Sequence, residues 1–321
     1  MRRLILAGGV AVLLAAPAGA EALSTATVSG NVYSDRGVWD YQAIDVTGGD
    51  GRDDISFAET LPGITVHDPG VVIAGVADTT WVPAGVPNLV CTDERGTRTC
   101  VDAPLACTSG LGSATCSLSP TNSGAVPQLV GITADGGAGD DRIVIPFDLA
   151  GATFDYAYGG PGDDDIDARY VHGGAGADRL HGFVLYDDEA AGIAATDDGV
   201  ADDGAPGEGD DVVGGSGVEG TPFGDRIELT GDGDADAGSG DDLVTTRGGS
   251  ATGGLGNDTI TVTGGGFASG DGSSTTGGDD TIDVRNGVAN TVMCGPGEDT
   301  VLADPLDDTS SYRDCEHVTV G

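Results

Sequence analysis

Ten aspartates in this chain share one local setting. Asp53, Asp141, Asp164, Asp178, Asp211, Asp225, Asp242, Asp258, Asp280 and Asp299 each follow a glycine-rich stretch. Two positions after each stands an apolar residue: Ile55, Ile143, Ile166, Leu180, Val213, Ile227, Val244, Ile260, Ile282 and Val301. The clearest copies are GGDGRDDIS (48–56), GGAGDDRIV (136–144), GGPGDDDID (159–167), GGAGADRLH (173–181), AGSGDDLVT (237–245), GGLGNDTIT (253–261) and CGPGEDTVL (294–302). Looser copies are PGEGDDVVG (206–214), FGDRIEL (223–229) and GGDDTIDV (277–284). A carboxylate set between a pliable loop and an alternating, strand-like tail is suited to gripping a hard cation. The glycines let the backbone take left-handed angles and turn its carbonyls inward, and the strand holds the loop in place.

From Asp141 onward the aspartates lie 23, 14, 33, 14, 17, 16, 22 and 19 residues apart. The long gap of 33 is about two ordinary steps, with Asp197-Asp198 where a degenerate copy falls. A period near 16 with insertions predicts a solenoid, each coil one turn of a parallel stack. The aspartates then form a column along one edge. Strands stack about 4.8 Å apart. Two unit charges about 4 Å apart repel by roughly 1 kcal/mol in water and about 4 kcal/mol near a protein surface. A column of that kind opposes folding unless cations lie within it, and calcium, with its six to eight oxygen ligands in flexible geometry, fits best.

At this point the repeats resemble a known family. GGLGNDTIT, GGAGDDRIV, GGPGDDDID and GGAGADRLH are similar to the nonapeptide GGxGxDxUx of RTX, or hemolysin-type, calcium-binding proteins. In that family the first six residues bind calcium and the last three form a strand of a parallel β-roll. The resemblance implies ligand roles for Asp141, Asp164, Asp178, Asp242 and Asp258, with loop carbonyls from Gly136, Gly159, Gly173 and Gly253. The segment 197–227 and the tail from Val292 to Val318 also resemble secreted bacterial calcium-binding repeat proteins, which implies a Cys294–Cys315 staple on the last coil. The chain departs from the family in that no two copies lie nine residues apart. A spacing of 14–17 fits one motif loop and one plain turn per coil, with sites along a single edge and fewer ions than motifs.

The rest of the chain agrees with an exported, acidic, repetitive protein. It holds 53 acidic against 13 basic residues, a formal net charge of −40, which argues against nucleic acid or an anionic membrane as partner. Every basic residue is arginine, so lysine nucleophile and Schiff-base chemistry is excluded. Met1-Arg2-Arg3, the apolar run 4–16 and Pro17-Ala18-Gly19-Ala20 read as a signal peptide over 1–20, giving a secreted, extracellular chain with no membrane insertion. Residues 21–130 read as a β-rich N-terminal region with a disulfide-pinned insertion at 82–128, and 131–321 as the solenoid with a C-terminal cap. Export makes the six cysteines disulfide partners. The nine-residue intervals in Cys91, Cys100, Cys107 and Cys116 suit two hairpin staples, although four cysteines allow three pairings.

The expected fold is thus an all-β, right-handed parallel β-solenoid with an N-terminal β-rich cap. No HExxH, no GxSxG and only four histidines are present, and His172 and His181 read as surface residues. The expected function is non-enzymatic binding of calcium ions. The alternatives are a polysaccharide-active β-helix of the lyase or epimerase class, using Asp, Arg and Tyr, and an adhesin or cell-envelope component.

Overall fold

The apolar residue two places after each aspartate has one requirement: a dry surface to face. The computed structural model describes residues 25–34, 37–49, 51–60, 63–77, 90–93, 96–99, 110–117, 128–147, 154–214 and 217–321. In it these residues stack in register. Ile55, Ile143, Ile166 and Leu180 form one run through parallel pairings, continued by Val212. Ala195, Ile227, Val244, Ile260, Ile282, Val301 and Val318 form a second. Together they make one wall of a parallel β-solenoid.

A second wall faces it, built from smaller residues. Val46, Ala134, Ala157, Val171, Val184, Val218, Ala235, Ala251, Ala268 and Val292 follow one another through nine parallel pairings. All of these second-wall residues are buried. Branched side chains packed against alanine and valine fill a thin core, which explains how a chain with 5% aromatic residues buries enough surface. Each coil runs from the small wall through a glycine-rich loop to the aspartate. It then follows the branched wall and returns by a plain turn, as in Gly249–Leu255, Thr259–Val262 and Gly266–Ser269. One motif loop per coil on one edge is what the 14–17 spacing required. Ile260→Val, which removes one methylene from a fully buried rung, is expected to cost about 1 kcal/mol. Denaturant melts in calcium buffer check this value, and no measurable loss contradicts a packed column.

The sheets do not stop at residue 130. Strand Gly37–Thr47 pairs in parallel with Gln128–Asp135, and Asp54–Thr60 with Arg142–Val144. The copy at 48–56 is therefore the neighbour of the copy at 136–144, although about 80 residues separate them in sequence. Antiparallel pairs surround this junction: Thr25–Ser34 with Gly37–Thr47, Asp54–Thr60 with Gly63–Ala77, and Gly63–Ala77 with Gly110–Ser117. The signal peptide, most of 82–128 and the pairing among Cys91, Cys100, Cys107 and Cys116 involve residues outside the described ones.

The 33-residue gap has a structural cause. The small wall passes directly from Phe183-Val184-Leu185 to Gly217-Val218-Glu219. Residues 186–214 fold back within the branched wall, where Asp203 meets Asp210, and Ala194 meets Gly204, in antiparallel bridges. Asp203 ties this fold-back together. Its carboxylate accepts from Thr196 N–H (2.7 Å) and Val212 N–H (2.9 Å), joining two strands at once. At the other end Cys294–Cys315 is a disulfide, tying the last motif coil to the tail strand His317–Val320.

Candidate metal centre

The loops acquire their shape from glycine at the points of closest approach. Gly254 and Gly256 have φ of +107° and +130°, which an L side chain adopts only with strain. A Cβ on Gly254 would strike the carbonyl oxygen of Gly238, and one on Gly256 that of Gly240. Loop carbonyl oxygens of successive coils therefore line up in columns. The first glycine of each loop lies against the carboxylate five residues on: Gly136 beside Asp141, Gly159 beside Asp164, Gly173 beside Asp178 and Gly253 beside Asp258.

The aspartates themselves form a ladder. The backbone N–H of each donates to Oδ1 of the next: Asp53 to Asp141 (2.7 Å), Asp141 to Asp164 (2.7 Å), Asp164 to Asp178 (2.8 Å) and Asp178 to Asp210 (3.0 Å). Beyond the fold-back it resumes from Ile193 to Asp225 (2.8 Å), then to Asp242 (2.7 Å), Asp258 (2.9 Å), Asp280 (2.9 Å) and Asp299 (2.8 Å). Asp299 N–H closes it on Glu316 (3.1 Å). All of its aspartates are buried. One carboxylate oxygen thus does the work of a backbone acceptor. The other, Oδ2, points into the glycine loop, and for Asp164, Asp178, Asp242, Asp258, Asp280 and Asp299 it has no hydrogen-bond partner among the described residues.

Not every rung is alike. Asp53 Oδ2 accepts from Gly49 N–H (2.6 Å) and Asp225 Oδ2 from Thr221 N–H (2.6 Å), with Thr221 Oγ1 on Asp225 Oδ1 (2.9 Å). In the Asp225 coil Thr221 stands where the loops at 136, 159, 173 and 253 carry a second glycine, and it satisfies the carboxylate internally.

Two placements read from sequence are corrected. Asp211 is not in the ladder; Asp210 is, with Val212 rather than Val213 buried behind it. Asp211 is one position outward and lies 3.6 Å from Arg179. Tyr186 OH donates to Asp210 Oδ2 (3.1 Å), a contact from the fold-back that selects this register. Likewise Asp197-Asp198 does not fill the missing rung. Ile193 does, while Asp197 accepts from Thr230 and Gly231 at the opposite turn. One residue was missed altogether: Asp271, buried at the start of an enlarged loop, with Oδ2 unpartnered among the described residues. The strand Gly266–Ser269 ends just before it, so the loop begins at Gly270 and not at Gly277.

Burial of so many carboxylates has an electrostatic consequence. Desolvation, the largest influence, pushes Asp164 and Asp258 up to about 6, and Asp178, Asp210, Asp242 and Asp280 up to about 7. The backbone N–H each accepts works the other way, and neighbouring carboxylates, such as Asp210 and Asp164 beside Asp178, add to the rise. Asp271 contributes to the rise at Asp258, Asp280 and Asp299, which places its charge within the column. Without a compensating charge, the edge favours protons.

The donor set fits calcium. Buried, unpartnered carboxylate oxygens alternate with glycine carbonyls, all hard oxygen, with no thiolate and no imidazole in the ladder. Asp164, Asp178, Asp242, Asp258, Asp280 and Asp299 would supply the charge, and such a cation would neutralise the repulsion along the edge.

Other charged and aromatic clusters lie away from this edge. Outside the branched wall, Asp54, Arg142, Asp165, Arg179 and Asp211 alternate at 3.4–3.6 Å, each arginine shared between two carboxylates. Such exposed pairs contribute little to stability. On the small wall Tyr156 and Tyr170 stack at 4.9 Å and Tyr158 and His172 at 4.6 Å. His181 lies 3.0 Å from Asp167.

No protein-family model matches the chain, and no curated protein matches it.

Proposed function

We propose that this chain is a secreted, non-enzymatic calcium-binding solenoid of the RTX type, whose glycine-loop edge is completed by calcium outside the cell. The reading is carried by one observation: in a single column of buried aspartates, the second oxygens of Asp164, Asp178, Asp242, Asp258, Asp280 and Asp299 have no hydrogen-bond partner among the described residues. A buried, unpaired carboxylate is too costly for a fold to repeat coil after coil without a compensating ligand. Where calcium is scarce, mutual repulsion keeps the acidic chain loose; in millimolar external calcium, binding free energy becomes folding free energy. Calcium ions are the partners this reading names, with neither nucleic acid nor membrane insertion.

The mature chain is expected to gain β-structure by circular dichroism when calcium is added to chelated protein, and to lose it on chelation. Identical spectra in calcium and in chelator would overturn the reading. Magnesium at equal concentration is expected to do little, because its octahedral, strongly hydrated shell suits these loops poorly.

A further inference from the structure

The loop 270–280 differs from its neighbours in a way that bears on affinity, and the argument rests on the calcium reading above. In the coil before it, first and second loop positions are Gly253 and Gly254; in the coil after it, Cys294 and Gly295. The backbone ladder matches these to Gly270 and Asp271, through Gly254 N–H to Gly270 O (2.7 Å) and Asp271 N–H to Cys294 O (3.0 Å). A carboxylate thus stands where the neighbouring coils carry a bare, left-handed glycine. The residues up to Gly277 bulge outward, and Gly278 N–H donates to Asp271 Oδ1 (3.2 Å), closing the loop.

Asp271 is 2% exposed, and its Oδ2 is unpartnered among the described residues. That oxygen lies in a cradle of glycines: a Cβ on Gly295 would be 2.6 Å from it, and one on Gly277 would fall on the carboxylate itself. Asp280, the ladder aspartate of the same coil, is 1% exposed, and its own unpartnered Oδ2 lies against Gly270. A Cβ on Gly270 would also be 2.5 Å from Cys294 O, so a backbone carbonyl shares the space. The disulfide at Cys294 fixes that neighbouring coil.

We infer that the loop 270–280 forms the tightest divalent-cation site of the column, with Asp271 as a second carboxylate ligand beside Asp280. The other motif loops offer one buried ladder carboxylate each: Asp140, Asp163, Asp241 and Glu298, one position outward, are exposed, and in the fold-back, where Glu208 adds a half-buried carboxylate, Asp210 Oδ2 already accepts from Tyr186 OH. Two carboxylates neutralise a calcium ion fully, and ligand charge and rigidity are what set calcium affinity among oxygen cages. This site therefore fills first and seeds the order of the coils stacked on it.

Calorimetric titration of the full mature chain with calcium tests this. Wild type is expected to show a tight component of about one equivalent ahead of weaker ones. Asp271→Asn keeps the acceptor for Gly278 N–H and is expected to weaken that component about tenfold or more. Asp165→Asn, at a carboxylate outside the ladder that pairs with Arg142 and Arg179, is expected to leave it in place. In parallel, hydrogen exchange on wild type with one equivalent of calcium is expected to protect amides of 270–280 and 294–299 first, a readout that stands even if Asp271→Asn fails to fold. Calcium uptake with an Asp271→Asn isotherm superposable on wild type, or first protection at 173–178, overturns this assignment alone. No calcium uptake by wild type overturns the calcium reading itself.

Discussion

Acidifying the calcium-free chain from about pH 7.5 to about pH 5 is expected to raise its melting temperature, the opposite of ordinary acid denaturation. The sign follows from the ladder. Asp178, Asp210, Asp242 and Asp280 are pushed up to about 7, and Asp164 and Asp258 to about 6, above the ordinary aspartate value near 3.8. A group whose folded value is raised binds its proton more tightly when folded. Its stabilising contribution is full below the unfolded value and is lost as pH rises through the folded one. The window therefore runs from about pH 4 to about pH 7, and the calcium-free solenoid is weakest at and above neutrality. On the calcium reading proposed above, millimolar calcium would hold the carboxylates ionised. Their folded values then lie below the unfolded ones, so the same acidification yields no gain, and loss begins only as pH falls toward about 4. Melting curves by circular dichroism across this range, with chelator and with calcium, give the comparison. A chelated chain that melts lower at pH 5 than at pH 7.5 would show that the ladder carboxylates are not the groups opposing the fold.

The branched wall could be read from sequence because each rung carries a loud signal: an aspartate, a gap of one, and Ile, Leu or Val. The opposite wall could not. Its inward residues include Ala157, Ala235, Ala251 and Ala268 among glycines, serines and threonines, and such small side chains give too little hydropathy contrast for an alternation to stand out. Where the signal was doubled, it misled. Gly209-Asp210-Asp211-Val212-Val213 fits the motif in two registers, and the choice between them rests on Tyr186 and Asp203, contacts formed only once the fold-back is in place. Asp271 was hidden for a different reason. Its enlarged loop separates first glycine from ladder aspartate by ten residues rather than five, so Gly277-Gly278 imitates the start of a motif. Ile193 carries no carboxylate at all, and only its backbone N–H marks it as a rung. Repeats of local chemistry were legible; positions defined by a neighbour across the stack were not.

That dependence on the neighbouring coil makes the glycine columns the most sensitive positions outside the carboxylates. Gly256→Ala is expected to destabilise the calcium-loaded chain by more than about 3 kcal/mol, at the upper end for a single substitution. Gly207→Ala is expected to cost only about 1 kcal/mol, the strain of a left-handed alanine. The two glycines have comparable φ, +130° and +105°, so the conformational penalty is shared. Their surroundings differ. A Cβ on Gly207 meets nothing within 4 Å, whereas one on Gly256 meets the Gly240 carbonyl, with Gly240 C at 2.5 Å and Asp241 N at 3.3 Å. Those are backbone atoms of the adjacent coil and cannot swing aside. Relief requires the two coils to separate at the loop edge, which stretches the Asp242 N–H to Asp258 Oδ1 bond of 2.9 Å and displaces the carboxylate from its carbonyls. Because each coil touches only its neighbours, one parted interface uncouples the stack on either side. Gly256→Ala is therefore expected to broaden the melting transition as well as lower it, and to weaken calcium uptake, while Gly207→Ala does neither. Equal losses for the two variants would mean that backbone angle alone governs these glycines and that close approach between coils does not hold the glycine-loop edge together.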